Sequence, residues 1–253
     1  LLERAEARGT RRVTGTLDAI ELRAGRVHAA RVSTAAGALT LETHQLVAAA
    51  GPYLARVAAL AGVALPVFCE RHLKVSFPDR LGAVPRDAPL LIWIDPVSLP
   101  GSAPPFPPGV HARPADGGTS VLLWTYDAEP VEVAFPLRHD PRHAELALRG
   151  MSKMLPALEP YCTDVPACRV EGGYYTKTRE NRPLIGPLPV EGAFVLGALS
   201  GFGIMAACGA AELLAAHVTG RALPAHAAAF RLERYADARY QRLLESWGAT
   251  GQL

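Results

Sequence analysis

From Ala193 to Ala211 the chain runs 19 residues without a charged side chain, so this stretch must be buried in protein or placed in lipid. Glycines at 197, 201, 203 and 209 interrupt it, and its two halves differ in kind. AFVLGAL has the composition of a buried strand, whereas IMAACGAAELLAAHV is helix-forming. A strand, a glycine turn and a helix inside a protein core account for both halves, which one membrane-crossing helix does not, and no membrane span is expected.

The turn itself reads Leu199-Ser200-Gly201-Phe202-Gly203-Ile204-Met205-Ala206. It satisfies the G-x-G-x-x-A pattern of a nicotinamide-binding strand–turn–helix, but that unit also needs a second strand ending in an acid about 20 residues on to hold the ribose. The sequence at that distance, RALPAHAAAF, has neither acid nor strand, and the nicotinamide reading is rejected. Two physical facts survive. Glycines let a ligand approach the backbone, and the helix that follows turns its positive end toward the turn. That end suits a phosphate or the electron-rich edge of a reduced flavin. Glycine-mediated packing is the plainer reading of the same residues.

A second glycine-terminated strand lies earlier. Leu46–Ala50 is apolar without alternation, as a parallel strand covered on both faces would be, and it stops at Gly51-Pro52-Tyr53 before a helix predicted over 54–61. Such an edge is a place for a ligand or simply a tight turn. Ahead of it, RRVTG, LDAIEL, RVHAARVST and LTLETHQLVAAA read as strands, the third and fourth as a half-exposed hairpin. From Pro66 the strands lengthen (VFCERHLKVSF, PLLIWIDPVSL, TSVLLWTYDAE), and PGSAPPFPPGVHARP between the second and third reads as a loop. A helix is expected over 141–155 with Asp140 as its cap and Pro141 at its first position, then a strand over 167–176. Residues 182–189 read as a proline-punctuated loop, 203–218 as a helix ending near Gly220, and 227–247 as one amphipathic helix. The fold class is α+β: an α/β domain formed by 1–66 and 172–253, interrupted by an antiparallel-sheet domain over 67–171.

Charge excludes more than it suggests. With 26 basic and 24 acidic side chains and 7% aromatic residues, nothing favours nucleic acid. Cys69, Cys162, Cys168 and Cys208 form no C-x-x-C pair and read as free thiols, in keeping with a cytoplasmic protein. The histidines are scattered and no metal site is expected; His139 and His143 cannot share a helix face when Pro141 opens the helix between them. A nucleophile elbow at Gly197–Gly201 fails because Ala198 stands where glycine is required. Leu1–Arg8, with Gly9 as a stop, reads as the end of a helix that began earlier, so the front of the chain is expected to be missing.

Taken in order, RRVTGTLDAIEL, GRVHAARVSTAAG, LVAAAGPYLARVAALAGVALPV, VHARPADGGTSVLLWTY, GGYYTKTRENRPLIGPLP and LGALSGFGIMAACGAAELLAAHVTG resemble the D-amino-acid-oxidase-like family of FAD-dependent oxidoreductases, over nearly the whole chain. The resemblance implies FAD as cofactor and the family's amino-terminal G-x-G-x-x-G unit upstream of Leu1 or on a partner chain. It places Leu17 against the adenine, Ala50 and Gly51 beside the flavin, Gly186 in a flavin-facing segment, and Gly201, Phe202, Gly203, Ile204 and Met205 along the isoalloxazine ring.

It also implies oxidation of a small-molecule amine or amino acid at its CH–NH bond, by hydride transfer to the flavin, to give an imine that water hydrolyses. A neutral amine needs no protein base, so no catalytic acid or base is assigned. The register puts Tyr175 where amino-acid oxidases of the family carry a carboxylate-clamping Arg, and Phe202 where relatives carry His. Tyr53, Tyr175, Lys177 and Arg179 are the candidate substrate contacts, and loss of the bidentate clamp points to a larger or secondary amine. The competing reading is a folded remnant that binds a small molecule or partner without flavin.

Overall fold

The computed structural model describes residues 1–127 and 129–247. Internal contacts divide them into two compact units: Leu1–Val67 with the chain from Thr176 onward, and Phe68–Tyr175. The sequence reading set the second crossing at 171/172. The difference has a physical cause, since Gly172–Tyr175 lie within a strand whose pairing keeps them on the second unit's sheet.

In the first unit a short helix α1 (Leu2–Glu6) precedes an antiparallel meander of β1 (Thr16–Arg23), β2 (Arg26–Thr34) and β3 (Gly37–Glu42). The expected strand RRVTG does not form; residues 11–15 precede β1 without pairing. β4 (Leu46–Ala48) runs into a single 3-10 turn and α2 (Leu54–Ala59).

The second unit opens with β5 (Phe68–Pro78), then β6 (Leu91–Trp93), β7 (Val110–Pro114) and β8 (Thr119–Leu123). α3 (His143–Met151), α4 (Glu159–Thr163) and β9 (Arg169–Lys177) follow. Its sheet has five strands in the order β6-β7-β8-β5-β9. β7 corrects the sequence reading, which took all of residues 100–114 as loop. Val110 and Ala112 are buried on one face, the strand pairs with both β6 and β8, and Pro114 sits at its end, where a missing N–H is tolerated.

α3 covers this sheet because Ala144, Ala147, Leu148 and Met151 recur at helical spacing and are all buried. They meet Val75, Phe77, Val110, Ala112, Leu122 and Trp124 in one core, where each large side chain contributes about 2 kcal/mol. The helix starts later than expected: Asp140 accepts the Arg142 N–H at 2.8 Å and holds a turn, and Pro141 lies in that turn rather than in the helix.

The chain then returns to the first unit. β10 (Leu184–Pro187) and β11 (Ala193–Gly197) pair antiparallel, and β11 pairs parallel with β4. β10 corrects a second loop assignment, since Pro183 precedes the strand and Pro187 ends it, leaving Leu184–Gly186 free to pair. β4 corrects a third expectation. It ends the order β10-β11-β4, so among the described residues it pairs on one side only, and Val47 is exposed. α5 (Gly203–Thr219) packs Ala210, Leu213 and Ala216 toward β10 and β11 and stops at Gly220, which takes the left-handed conformation that glycine permits. This helix is long and apolar enough to cross a membrane by length and composition, and it is mostly unburied in the structure. The single amphipathic helix expected over 227–247 is instead two 3-10 segments, Ala225–Phe230 and Leu232–Ala236, and α6 (Ala238–Ser246), capped by the Asp237 side chain. Arg231 and Asp237 are extended, and these breaks let Arg234 turn inward.

Candidate functional site

The two glycine turns singled out from sequence leave neighbouring parallel strands at the same edge of the first unit's sheet. Ala48 of β4 is level with Val195 of β11, so the Ala50–Gly51 turn and the Ala198–Gly203 turn both follow carboxyl ends. This is the edge of an open α/β sheet where ligands bind.

Each turn is locally unusual. Gly51 has φ +52 and opens the 3-10 turn Gly51–Tyr53, with no atom near the position a Cβ would take. On the other side, Ala198 (φ 53) and Ser200 (φ 50) both occupy the left-handed region without being glycine. That conformation costs about 1–2 kcal/mol for an L residue and gathers at functional turns. Composition gives no sign of it, because the glycines stand at 197 and 201 instead.

Gly201 and Phe202 complete a 3-10 turn, and α5 begins at Gly203 with no side chain capping its first turn. Ile204 is 97% exposed and Met205 77%, with Phe202 exposed beside them. Large apolar side chains at an uncapped helix N-terminus combine a flat hydrophobic contact with outward-facing amides. A Cβ at Gly203 would meet only Leu199, at 3.8 Å, so the backbone there is open to a ring.

The remaining expected cofactor contacts are less alike. Leu17 is half-buried on β1. Gly186, at φ +141 on β10, faces no open space: a Cβ there would lie 3.2 Å from both His217 Nε2 and the Arg231 side chain. His217 Nε2 and Arg231 Nε are buried without hydrogen-bond partners. Burial, and then the Arg231 charge, push the His217 pKa below its usual range. The sequence reading passed over this pair because it joins α5 to a segment expected to be helical.

Of the candidate substrate contacts, Tyr53 is exposed in the turn after Gly51, Lys177 is buried and Arg179 is exposed, all in the first unit. Tyr175 belongs to the second unit, where its ring stacks on His72 at 3.7 Å between centroids. His72 is held on both nitrogens, by Thr125 Oγ1 at 2.9 Å and Glu70 Oε2 at 3.3 Å. Gly172 makes this part of β9 possible, because any Cβ there would strike the His72 carbonyl. Among the described residues no group of His, Cys, Asp and Glu is arranged to hold a metal ion. All four cysteines are free thiols.

The sequence model of the FAD dependent oxidoreductase family matches residues 1–217, and the chain belongs to that family. FAD is the family's cofactor, and the exposed apolar turn at Gly201–Met205 fits such a group. Among solved structures the chain is similar to L-proline dehydrogenase from P. horikoshii, with TM-score 0.68 and 18% identity over 92% of this chain and 57% of that one. Iminodiacetate oxidase from Chelativorans sp. BNC1 gives TM-score 0.63 and 18% identity, over 91% of this chain and 56% of that one. Glycine oxidase from Bacillus cereus ATCC 14579 gives 0.58 and 15%, over 85% and 52%. These likenesses show the fold, and the chain spans little more than half the length of each of the three. No curated protein sequence matches the chain.

Proposed function

We propose that the protein is part of an FAD-dependent oxidoreductase that oxidises the CH–NH bond of an amine or amino acid. The observation that carries this reading is the open turn at Gly201–Met205, with its uncapped helix end and exposed Ile204 and Met205, in a chain of the FAD family. Ile204, Met205 and Phe202 supply the apolar contact to the ring, and the first amides of α5 stabilise negative charge at its edge. Ala50 and Gly51 line the neighbouring turn, Leu17 contacts the cofactor away from the ring, and Gly186, packed under His217 and Arg231, is left out of the assignment.

FAD, when bound, supplies the hydride acceptor; the protein's task is to bind and orient the amine and to keep water away. Tyr53, Lys177 and Arg179 of the first unit are assigned to the substrate. L-proline and iminodiacetate, for which two of the similar structures are named, are secondary amines that carry carboxylates. The secondary amine, not the carboxylate, is the feature of that class that agrees with Tyr175 standing where a guanidinium clamp is expected. We further assign the pyrophosphate of FAD to a segment outside these residues, which the unpaired side of β4 supports.

Titration with FAD, followed by quenching of flavin fluorescence, tests the cofactor assignment. Weak binding is expected, and Met205→Lys is expected to weaken it at least tenfold while leaving the melting temperature unchanged. Equal affinity in the variant would overturn it. In flavin-loaded protein, bleaching of the flavin by L-proline or iminodiacetate is the expected result. Bleaching by 2-hydroxy acids but by no amine would overturn the CH–NH assignment.

A further inference from the structure

A third turn meets the two glycine turns at the edge of the first unit's sheet. β10 runs antiparallel to β11, with Leu184 level with Gly197. The chain that enters β10 from Thr178–Arg182 therefore arrives beside the chain that leaves β11 at Ala198. Gly197 is closely packed there: a Cβ would lie 2.4 Å from the side chain of Leu54, which is itself buried at the start of α2. Whatever fixes the start of β10 thus reaches the Ala198–Gly203 turn through one strand pair.

The entering turn is tied down twice over. Thr178 Oγ1 donates to the Arg182 carbonyl at 2.7 Å and accepts the Arg182 N–H at 3.0 Å. Arg234 donates to the carbonyls of Arg182 and Pro183, the two residues just ahead of β10. Its charge is met by Glu180, whose Oε1 also accepts the hydroxyls of Tyr235 and Tyr240. Glu180 and Arg234 are both buried. A buried ion pair adds little net stability over apolar side chains of similar volume, so its use is sought in geometry. The backbone that needs support is close by. Ala198 and Ser200 hold the left-handed conformation without being glycine, and such strain persists only where the surroundings over-determine it.

We propose that Glu180, Arg234, Tyr235 and Tyr240 are positioning residues for the Ala198–Gly203 turn: they pin the start of β10, and through the Leu184–Gly197 pair they hold the strained turn in its ligand-ready shape. The proposal rests on the assignment of that turn to FAD. The four side chains act through the backbone and do not touch the cofactor. The carboxy-terminal segment is thereby part of the cofactor site's support.

The test combines amide hydrogen exchange with FAD titration. Tyr235→Phe with Tyr240→Phe removes two hydroxyls and leaves the charges paired. Val27→Ala, buried beside Gly192 at the other end of the sheet, is the control for stability lost elsewhere in the unit. In the tyrosine variant, exchange over Leu199–Gly203, including the Phe202 amide that donates to the Leu199 carbonyl, is expected to quicken at least fivefold. FAD binding is expected to weaken at least fivefold, and the control to change neither. Adding Ala198→Gly, which relieves the left-handed strain, should restore most of the lost affinity. Should the paired change prevent folding, Tyr240→Phe alone should give the same pattern at about twofold. Unchanged exchange over the turn, equal quickening in the control, or no rescue by Ala198→Gly would overturn the proposal. Exchange is read without FAD, which separates the two readings. A quickened turn in a chain whose parent has no affinity for FAD would sink the cofactor assignment alone. Parental FAD affinity in the tyrosine variant, with an unaltered turn, would sink the positioning role alone.

Discussion

Arg234 Nη2 lies 2.7 Å from Glu180 Oε1, and the two side chains are 3% and 0% exposed. Tyr235 and Tyr240 donate their hydroxyls to the same carboxylate oxygen at 2.6 and 2.9 Å, and the guanidinium also donates to the carbonyls of Pro183 and Arg182. The pair therefore ties the carboxy-terminal segments to the turn between β9 and β10. These hydrogen bonds outweigh burial and hold the Glu180 pKa below the usual carboxylate range. Removing one partner strands the other charge in the interior, at a cost of about 3–5 kcal/mol. Arg234→Met and Glu180→Gln are each expected to lower the unfolding free energy of the first unit by that order in urea titrations. The double variant should lose clearly less than the sum, because neither charge is then left alone.

His143 gives the second unit a pH dependence of definite sign. Its ring is 1% exposed, stacks on Tyr126, and leaves Nε2 without a partner. Burial pushes its pKa down to about 4, from 6.5. Between those values the unfolded chain takes up a proton that the folded chain refuses, so stability is full above pH 6.5 and falls as pH drops toward 4. The expected loss is on the order of 2–3 kcal/mol. Thermal melts across that range should show it, and His143→Phe should flatten that part of the profile. A parent protein as stable at pH 4.5 as at pH 7 would contradict the assignment.

The sequence shows the strand–turn–helix from Ala193 to Thr219 clearly, because apolar content, glycine spacing and helix propensity agree there. It hides β7 and β10, where prolines at the strand ends look like loop signals although the residues between them pair normally. The helix expected over 227–247 fails for another reason. Its apolar spacing is right, but burying Arg234 on Glu180 requires extended backbone at Arg231 and Asp237, and a long-range pair overrides local preference. The two glycine turns at the sheet edge were legible because each is contiguous in the chain. A small pocket on the second unit's sheet was not, since His72, His111, Thr125 and Tyr175, which line it, meet only through the strand order β7-β8-β5-β9. Alternation along those strands was the one available signal for it, and scattered histidines read instead as surface or core residues.

Gly150 sets two opposing effects against each other. It lies inside α3, where alanine is ordinarily favoured by about 1 kcal/mol. A Cβ at that position, however, would sit 2.7 Å from the Trp124 ring, which is itself buried. Trp124 cannot move aside easily, because Phe106 and Tyr126 rest against it and its indole N–H donates to the Pro107 carbonyl. Overpacking of this kind costs about 1–3 kcal/mol, so the clash wins. Gly150→Ala is expected to destabilise the second unit by up to about 2 kcal/mol despite the gain in helix propensity. Changed tryptophan fluorescence should accompany the loss.

Asp79 is the polar counterpart of that core, and its substitution tests whether hydrogen bonds or charge hold it. The carboxylate is buried at the end of β5, and four donors reach it: the Ala83 and Val84 N–H groups at 3.0 and 2.9 Å, Ser120 Oγ at 3.0 Å and the Tyr161 hydroxyl at 3.1 Å. Burial alone would raise its pKa, yet the four bonds together leave it lowered. The site is therefore built for an ionised acceptor, and an amide that turns an NH2 group toward two of those donors cannot replace it. Asp79→Asn is expected to cost about 2–4 kcal/mol, against about 1 kcal/mol for Ser120→Ala, which removes a single bond. The charge contributes stability above the ordinary carboxylate pKa and loses it as pH falls through the lowered one, so the gap between parent and Asp79→Asn should close in strong acid. A gap that stays constant from neutral pH into strong acid would mean that shape, and not the ionised carboxylate, is what the site requires.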